Sequence, residues 1–488
     1  MAYNPNLSYF LSRIAGVSTN YFRIESQTSS SSVVTANKQI RFSLPSNCLL
    51  NTRSLAFNFN ADANGIASAC GRLPADISGL IDRVELSSGG VQISSGANGY
   101  GLICAIKRNL TVDKCDPALG HPEICREVSY VDGGGDYATG SVVAAMTGVV
   151  NENYRSDNGQ TQFSINNWEG FLGSVQPSII DTSLLSDLTL TLYLADNIVC
   201  SSSSGLLLED ASGNSINETA ATPIQAQFRL KDFHLVIETL GLADNIYDQM
   251  IERRISDTGY IELPFKTYYT FNDTHSGNTR FSQSTQSLDR VYVAMRDSSY
   301  NDTQGVVRVA GYKKAGAGVS GVAGFASYAS PFDIGRPTYD IGGVLNTNSE
   351  KYRGNYFNFK EFQSSLGTPA TYFFSFNGSQ IPQFRASSEQ FLSITRNSVA
   401  TNDMNTGKYP VSVMSLDQYK KNFFSMCVRL NLPQSEENRE ISGADTRGIS
   451  LNAYFQSSGV TSGKNIFIVC ETTSSLRIGA GRALEIIL

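Results

Sequence analysis

Three cysteines and one histidine lie close together in the segment LICAIKRNLTVDKCDPALGHPEIC, residues 102–125. They are Cys104, Cys115, His121 and Cys125, and Zn²⁺ accepts three thiolates and one imidazole as ligands. The gaps between them are 10, 5 and 3 residues, whereas structural zinc modules usually pair their ligands at short, regular spacing. We therefore predict ordinary thiols in a loop and no metal or other cofactor, with zinc at this cluster as the alternative.

A second kind of candidate site is an aspartate next to an arginine, which the chain presents twice. The two copies are Asp82, Arg83 and Val84, and Asp289, Arg290 and Val291. The aspartates are 289 − 82 = 207 residues apart. Successive side chains of a strand point to opposite faces, so we expect Asp82 beside Val84 and Leu86, and Arg83 beside Ile81 and Glu85. Each charged group then needs a partner from another strand or loop, which indicates a structural corner and not an active pair.

Other motifs that carry chemistry are weak. The segment GVTSGKN (459–465) is one residue short of a phosphate-binding loop and has Asn465 where Ser or Thr would reach magnesium. The segment VDGGGDY (131–137) lacks the ligand series of a calcium loop. The sequence has 3 histidines and no G-x-S-x-G elbow. We predict turns at both glycine-rich segments and a protein that is not an enzyme.

The elements that must position these residues are mostly strands. Apolar and polar residues alternate with period two in many short runs, most clearly in LTLTLYL (188–194). Helical spacing is confined to 242–255 and 387–399, with Ser387 or Ser388 as the cap of the latter, and to short turns at 101–109 and 179–186. The predicted fold class is all-β with a few short helices in the connections.

The chain divides into similar halves. A Ser-, Asn- and Gly-rich stretch at 200–223 follows one strong strand signal and precedes another, as a linker does. In both halves a strand carrying Leu-Pro precedes the Asp-Arg-Val run, and a strong strand closes the half. We predict an N-terminal arm at 1–30, a first β-sandwich with linker at 31–222 and a second β-sandwich at 223–488.

Composition excludes several classes of function. Charged residues make up 17% of the chain, below the roughly 25% of ordinary domains, which suits a surface that largely meets other subunits. The net charge of −6 and the absence of a Lys/Arg block argue against a chain that coats nucleic acid. No signal peptide and no membrane span are predicted.

These segments, taken in order, resemble a known family. The carrying residues are GLIDRVEL (79–86) and SLDRVYV (287–293), NIYDQMIERRISDTGYIELPFKTYYTF (245–271), YFFSFNGSQIPQF (372–384) and RLNLPQSEENREISGADTRGIS (429–450). Over about 30–488, the chain resembles the double jelly-roll major capsid proteins of virophages, polinton-like viruses and adintoviruses.

The resemblance implies two tandem eight-stranded jelly-roll β-sandwiches and a structural subunit of a DNA virus. It implies a homotrimer that forms a pseudo-hexameric capsomer, contacts with neighbouring capsomers, and minor capsid and penton proteins as partners. It also implies location in the virion after synthesis in the host cytoplasm or a viral factory. The late motif places Asp445 and Arg447 in a family-specific loop, and segments 132–160 and 310–332 are candidates for outer towers or intersubunit contacts. The alternatives are a tandem β-sandwich adhesin or carbohydrate-binding protein and a β-sandwich hydrolase.

Overall fold

The structure is a computed structural model. It describes residues 17–28, 33–64, 77–94, 99–111, 161–195, 227–242, 246–296, 369–399, 424–432, 441–447 and 453–487, with short pieces at 207–208, 308–309, 338–339, 345–346, 359, 361–362, 364 and 419–420. Segments 131–137, 132–160 and 310–332, and the residues Cys115, His121 and Cys125, lie outside the described residues.

Strands dominate both halves of the chain. The first half contains β1 (Val17–Glu25), β2 (Val34–Thr35), β3 (Gln39–Ser43), β4 (Leu49–Asn51), β5 (Ala56–Asn64), β6 (Ile81–Ser88), β7 (Val91–Ser94), β8 (Thr161–Ile165), β9 (Ile179–Asp181), β10 (Thr189–Leu194), β11 (Leu207–Leu208) and β12 (Gln227–Leu242). The second half contains β13 (Tyr260–His275), β14 (Asn278–Phe281), β15 (Leu288–Arg296), β16 (Arg308–Val309), β17 (Thr338–Tyr339), β18 (Leu345–Asn346), β19 (Thr371–Phe376), β20 (Ser379–Ser387), β21 (Ser425–Arg429), β22 (Ala453–Ser458), β23 (Lys464–Gly479) and β24 (Leu484–Ile487). The α-helices that lie wholly within the described residues are α1 (Tyr100–Thr111), α2 (Phe171–Ser174), α3 (Ile246–Thr258) and α4 (Ser388–Val399).

The second half is a jelly roll. One sheet has the strand order β13-β23-β15-β21, with β24 added to β23, and the facing sheet has the order β14-β22-β19-β20. Along the chain, β13, β14 and β15 alternate between these sheets, and so do β20, β21, β22 and β23, which is how a jelly roll closes two sheets over one core. The glycines of segment 459–465 are in the connection from β22 to β23, where Gly459 and Gly463 have φ of +73° and +80°. These positive φ values identify the predicted turn.

The first half repeats this arrangement. Its sheet β3-β10-β6-β7 contains the order β3-β10-β6, which corresponds to β13-β23-β15. The second sheet pairs β5 with β8, as β14 pairs with β22, and then continues through β12 to β4 and β9. The fold class predicted from the alternation, all-β with tandem sandwiches, is confirmed.

Two features of the first sandwich differ from the sequence-based boundaries. Strand β12 begins after the predicted boundary at 222/223, yet its partners are β1, β2, β4 and β5 of the first half. Within the predicted arm at 1–30, residues 17–25 form β1, which pairs with β12 over nine consecutive residues. Backbone pairing thus joins residues 17–25 of the predicted arm and strand β12 to the first sandwich.

Both Asp-Arg-Val copies contain a β-bulge at the aspartate. Tyr193 and Leu194 pair with Arg83 and Ile81, which leaves Asp82 as the extra residue. Leu288 and Arg290 pair with Thr472 and Glu471, which leaves Asp289 as the extra residue. Because side chains alternate between the two faces of a sheet, one extra residue moves each preceding side chain of the strand to the opposite face. The prediction that Ile81 shares a face with Arg83 and Glu85 is therefore wrong, because Ile81 is buried with Val84 and Leu86.

The helices begin close to the predicted positions. In α4 the Ser387 Oγ accepts a hydrogen bond from Gln390 N at 3.4 Å, and Gln390 Oε1 accepts one from Ser387 N at 3.0 Å. This reciprocal pair is a capping box, so of the two predicted caps, Ser387 and Ser388, it is Ser387 that caps the helix. Segment 179–186, predicted as a helical turn, forms strand β9 and then a 3₁₀ turn over Thr182–Leu184. Among the described residues, no helix combines the length and the apolar character needed to span a bilayer.

Candidate functional site

The boundary between the two sandwich cores, which we call the seam, is crossed by strands β13 and β23. Each has 16 residues, which at about 3.3 Å per residue is roughly 50 Å of strand. Leu263 and Phe265 at one end of β13, and Leu476 and Ile478 at one end of β23, are buried in the core of the first sandwich. Residues 466–470 of β23 are buried in the core of the second.

Helix α1 also lies between the two cores. Tyr100 and Cys104, four residues apart, pack in the first core. Ile103, Ile106 and Leu110 pack in the second. These two sets occupy different faces of the helix because residues three and four apart align along it. Cys104, the one described member of the predicted Cys/His cluster, is thus a core residue.

The apolar side chains that cross the seam contribute substantially to stability. Leu263, Phe265, Leu476 and Ile478 are each at most 6% exposed. Full burial of such a side chain contributes about 1.5–3 kcal/mol, so the four contribute on the order of 6–12 kcal/mol before entropic costs. That is comparable to the net stability of a whole domain, about 5–15 kcal/mol. Neither core is complete without residues from both halves of the sequence.

A charged cluster occupies the seam where the apolar cores meet. Its centre is Glu471, whose side chain is 1% exposed. Arg290 Nη1 donates to Glu471 Oε1 at 2.7 Å, and the Tyr292 hydroxyl donates to Glu471 Oε2 at 3.0 Å. Lys107 Nζ lies 3.9 Å from Glu471 Oε2. The carboxylate thus has cationic partners from a strand of the second sandwich and from α1.

Lys107 connects the two halves of the chain. Its Nζ donates to Glu169 Oε2 at 2.5 Å and to the Tyr268 hydroxyl at 2.6 Å. The Tyr268 hydroxyl in turn donates to Glu169 Oε2 at 2.9 Å. Glu169 precedes α2 of the first half, whereas Tyr268 belongs to β13. A closed triangle of hydrogen bonds therefore spans the seam.

Burial and charge act in opposite directions on these groups. Burial by itself raises the pKa of Glu471, but the positive charges of Arg290, Lys107 and Lys266 and the Tyr292 hydroxyl lower it to about 2. Burial lowers the pKa of Lys107, and Glu169 and Glu471 outweigh that effect and raise it. Burial raises the pKa of Tyr268 and Tyr292 well above the ordinary value, with the nearby carboxylates adding to it. The cluster therefore holds its carboxylate ionised, its lysine protonated and its phenols neutral near neutral pH.

Asp289 is the centre of a second buried group beside the first. Lys266 Nζ donates to Asp289 Oδ2 at 2.6 Å and to Thr473 Oγ1 at 2.9 Å. The Ser287 hydroxyl donates to Asp289 Oδ1 at 2.6 Å. Lys266 N also donates to Ser174 Oγ of α2 at 2.7 Å, so this group too is tied to the first half.

The loop that contains Asp445 and Arg447 packs against this second copy. Leu288 and Ala444 exchange backbone hydrogen bonds at 2.9 and 3.0 Å, and Gly443 N donates to Ser287 Oγ at 2.9 Å. A side chain at Gly443 would overlap Ser287 Oγ, Asp289 Oδ1 and Leu288 O, so only glycine permits this approach.

Asp445 and Arg447 form an exposed ion pair in that loop. Arg447 donates through Nε and Nη2 to the two Asp445 oxygens, at 3.1 and 2.8 Å. Hydrogen bonds from Arg447 lower the pKa of Asp445 to about 2. The pair belongs to the loop surface and does not join the buried cluster.

The first Asp-Arg-Val copy is more exposed to solvent than the second copy. Asp82 Oδ1 accepts a hydrogen bond from Gly99 N at 3.1 Å. Arg83 pairs with Glu85 at 3.2 Å and lies over the Tyr193 ring at 4.1 Å. The side chains of Arg83 and Glu85 are 33% and 20% exposed. The two copies share a backbone geometry but have different surroundings.

A serine–histidine contact is present elsewhere in the second sandwich. Ser457 Oγ lies 2.5 Å from His275 Nε2, and Thr279 Oγ1 lies 2.9 Å from His275 Nδ1. Serine nucleophiles usually have a carboxylate or amide behind the histidine and need a path for substrate, whereas this imidazole has a hydroxyl there and is buried. The contact ties the β13–β14 turn to β22 and reads as structural.

The seam contains a cavity of about 20 Å³, lined by Tyr100, Glu169, Thr267 and Tyr268 among others. This volume accommodates about one water molecule. Sequence reasoning did not identify Lys107, Glu169, Lys266 or Glu471 as site residues. The available signal was a single charge directly after or inside an apolar strand, as in NIFIVCE (465–471).

Comparisons with known proteins identify the fold. No family model matches the sequence, and no curated protein matches it. A chain of the PBCV-1 virus capsid, from a quasi-atomic model, is similar with a TM-score of 0.52 and 12% identity, covering 98% of this chain and 99% of that one. The Sputnik virophage structure at 3.5 Å gives a TM-score of 0.46 and 12% identity, covering 100% and 92% of the two chains. The Faustovirus major capsid protein gives 0.47 and 11%, covering 96% and 91%.

The fold assignment rests on the PBCV-1 capsid chain and on the strand order described above. Over nearly its whole length, this chain has the double jelly-roll fold.

Proposed function

We propose that this protein is a structural subunit of an icosahedral virus shell, a major capsid protein that acts through its geometry and not through catalysis. The observation that carries the proposal is the match of the tandem sandwiches, over 98% of the chain, to a chain of the PBCV-1 virus capsid. The low charged fraction of 17% supports it, because subunit interfaces are depleted in charge.

The proposed mechanism is geometric: three chains, each with two similar sandwiches, form a particle with an approximately sixfold outline. Two similar sandwiches in one chain give a homotrimer an approximately sixfold outline, so a single chain fills a hexagonal lattice around a threefold axis. Such a capsomer keeps its outline only if the two sandwiches hold a fixed orientation. The strands that cross the seam and the buried cluster around Glu471 supply that constraint.

The proposed partners are further copies of this chain, first within the trimer and then in neighbouring capsomers, together with minor capsid and penton proteins. The proposed location is the virion, after synthesis in the host cytoplasm or a viral factory. No cofactor and no sequence-specific nucleic acid are part of the proposal.

Size-exclusion chromatography with light scattering tests the proposal. We expect a species of three times the 53.0 kDa chain mass, and hexagonal particles by electron microscopy. A protein that stays monomeric at every concentration, with isolated two-lobed particles, contradicts the proposal. Glycan binding by such monomers would favour the adhesin or carbohydrate-binding alternative.

A further inference from the structure

The first sandwich contains strand segments that are synthesised long after the rest of it. Leu476 and Ile478 of β23 are buried in the same core as Ile40 and Phe42 of β3. Leu484 and Ile486 of β24 pack against this core as partly buried residues. More than 200 residues of sequence separate these segments from β12, the last strand of the rest of this sandwich, which ends at Leu242. The second sandwich lies in between.

Strand pairing holds these late segments in place. β24 pairs with β23 through Ser475, Leu476, Arg477 and Ile478. The same stretch of β23 pairs on its other edge with residues 261–264 of β13. Both edges of the late part of β23 are therefore occupied by backbone hydrogen bonds.

Strand β13 fixes this ribbon against the first half. The rings of Phe171 in α2 and Phe265 in β13 are 5.0 Å apart at 67°, an edge-to-face contact. Gln176 N donates to Pro264 O at 3.1 Å. The ribbon of β13, β23 and β24 is thus bonded to the first sandwich and also contributes side chains to its core.

We propose that the β23–β24 segment, residues 474–487, is the closing element of the first sandwich, so that this sandwich is completed only after the second sandwich has been made. Domains of larger proteins generally fold as units, with the N-terminal one first during synthesis. Here the first sandwich lacks part of its core until residues 474–487 have paired. A nascent chain therefore does not present a finished first sandwich to neighbouring copies. This last consequence rests on the proposed function, whereas the folding dependence does not.

The protein contains one tryptophan, which makes the proposal measurable. Trp168 is buried in the first core, and its Nε1 donates to Leu55 O at 2.7 Å. Its fluorescence therefore reports on the first sandwich in the intact chain.

The test variant is Leu476→Ala, and the matched control is Ile468→Ala on the same strand but in the core of the second sandwich. We expect L476A to lower the urea midpoint of Trp168 fluorescence. We also expect it to reduce amide hydrogen-exchange protection in β3 and β10 by roughly thirtyfold or more, the equivalent of the smallest cost of a buried Leu→Ala change. The control is expected to reduce protection chiefly in β15 and β21. An unchanged Trp168 midpoint together with unchanged protection in β3 and β10 for L476A overturns the proposal.

A milder variant and a kinetic measurement keep the test decisive if L476A does not fold. Ile478→Val is expected to shift the Trp168 midpoint in the same direction by a smaller amount. Pulse-labelled hydrogen exchange during refolding of the wild-type chain should show β3 and β10 gaining protection together with β23 or after it. Protection of β3 and β10 before β23 contradicts the proposal. Light scattering on the wild-type protein tests the capsid function separately, so a failure of one leaves the other intact.

Discussion

Replacing Arg290 with methionine is expected to cost more stability than the same change at Arg83, although both residues follow the bulged aspartate of the same repeated motif. Arg290 donates to Glu471 at 2.7 Å, and the two side chains are 9% and 1% exposed. Removing it leaves a buried carboxylate with the Tyr292 hydroxyl and with Lys107 at 3.9 Å. Methionine keeps much of the volume, so the change tests charge more than packing.

The magnitude follows from the environment of each pair. Breaking a buried ion pair by removing one partner costs about 3–5 kcal/mol, and the remaining lysine places Arg290→Met near the lower end, at about 3 kcal/mol. The pair of Arg83 and Glu85 is partly exposed, so its ion pair contributes about 0.2–1 kcal/mol. The contact of Arg83 with the Tyr193 ring adds about 0.5–1 kcal/mol. The expected difference between the two variants is therefore about 1–2 kcal/mol.

Urea denaturation followed by Trp168 fluorescence and by far-ultraviolet circular dichroism measures both free energies of unfolding. A third variant, Arg290→Met with Glu471→Leu, removes both charges and is expected to recover much of the loss, because an apolar pair in a buried site costs less than an unpaired charge. If Arg83→Met destabilises the protein as much as Arg290→Met does, the argument from burial is refuted. If the double variant is no better than Arg290→Met, the loss came from packing and not from an unpaired carboxylate.

Three further outcomes are expected. The free energy of unfolding should fall as the pH drops from about 4.5 towards 2, because Glu471 has a pKa of about 2 in the folded protein against an ordinary 4.5. The variant Glu471→Gln should lose that part of the pH dependence, and a variant with the wild-type pH profile would contradict the prediction. Burial lowers the pKa of His275 below its ordinary 6.5, although Asp273 opposes this. The neutral imidazole therefore contributes to stability above pH 6.5, and this contribution is lost as the pH falls below 6.5. The variant His275→Gln should show a flatter dependence of the thermal midpoint on pH in this region. Elemental analysis of purified protein should find zinc well below one equivalent, because Cys104 packs in the first core; stoichiometric zinc that Cys104→Ser abolishes would reverse this prediction.

Much of the fold was predictable because the alternation of polar and apolar residues that marks a strand can be read within a few residues of sequence. LTLTLYL alternates cleanly, and β10 is found at Thr189–Leu194 with Leu190, Leu192 and Leu194 buried. The capping box of α4 is a four-residue signal that depends on local hydrogen bonds alone. The repeat was visible because the Asp-Arg-Val run occurs in both halves of the sequence, and in the structure both copies form the same bulge.

The seam was not predictable because it arises from the way two cores meet. Strand β13 alternates regularly at Leu263 and Phe265, and then the adjacent residues Thr267 and Tyr268 are both buried. The sequence of one strand does not predict burial on both faces, because the layers that cover those faces come from distant segments of the chain. For the same reason a lone Glu471 after an apolar run gives no indication of its partners. Arg290 in β15 and Lys107 in α1 reach it from segments 181 and 364 residues away (471 − 290 and 471 − 107).

The two copies of the motif share a backbone bulge but differ in the partners of their charged side chains. The bulge itself requires only a particular backbone conformation. In the first copy, the bulged Asp82 accepts a hydrogen bond from Gly99 N at a partly exposed corner. The second copy has the same bulge, but Asp289 and Arg290 lie where the two cores join, and each has a charged partner from another strand. A buried charge is tolerated only when it is paired, so pairing with Lys266 and Glu471 ties the position of β15 to the strands that cross between the sandwiches. The same residue pair thus forms a solvated corner in one sandwich, and in the other it becomes part of the joint that holds the two sandwiches in register.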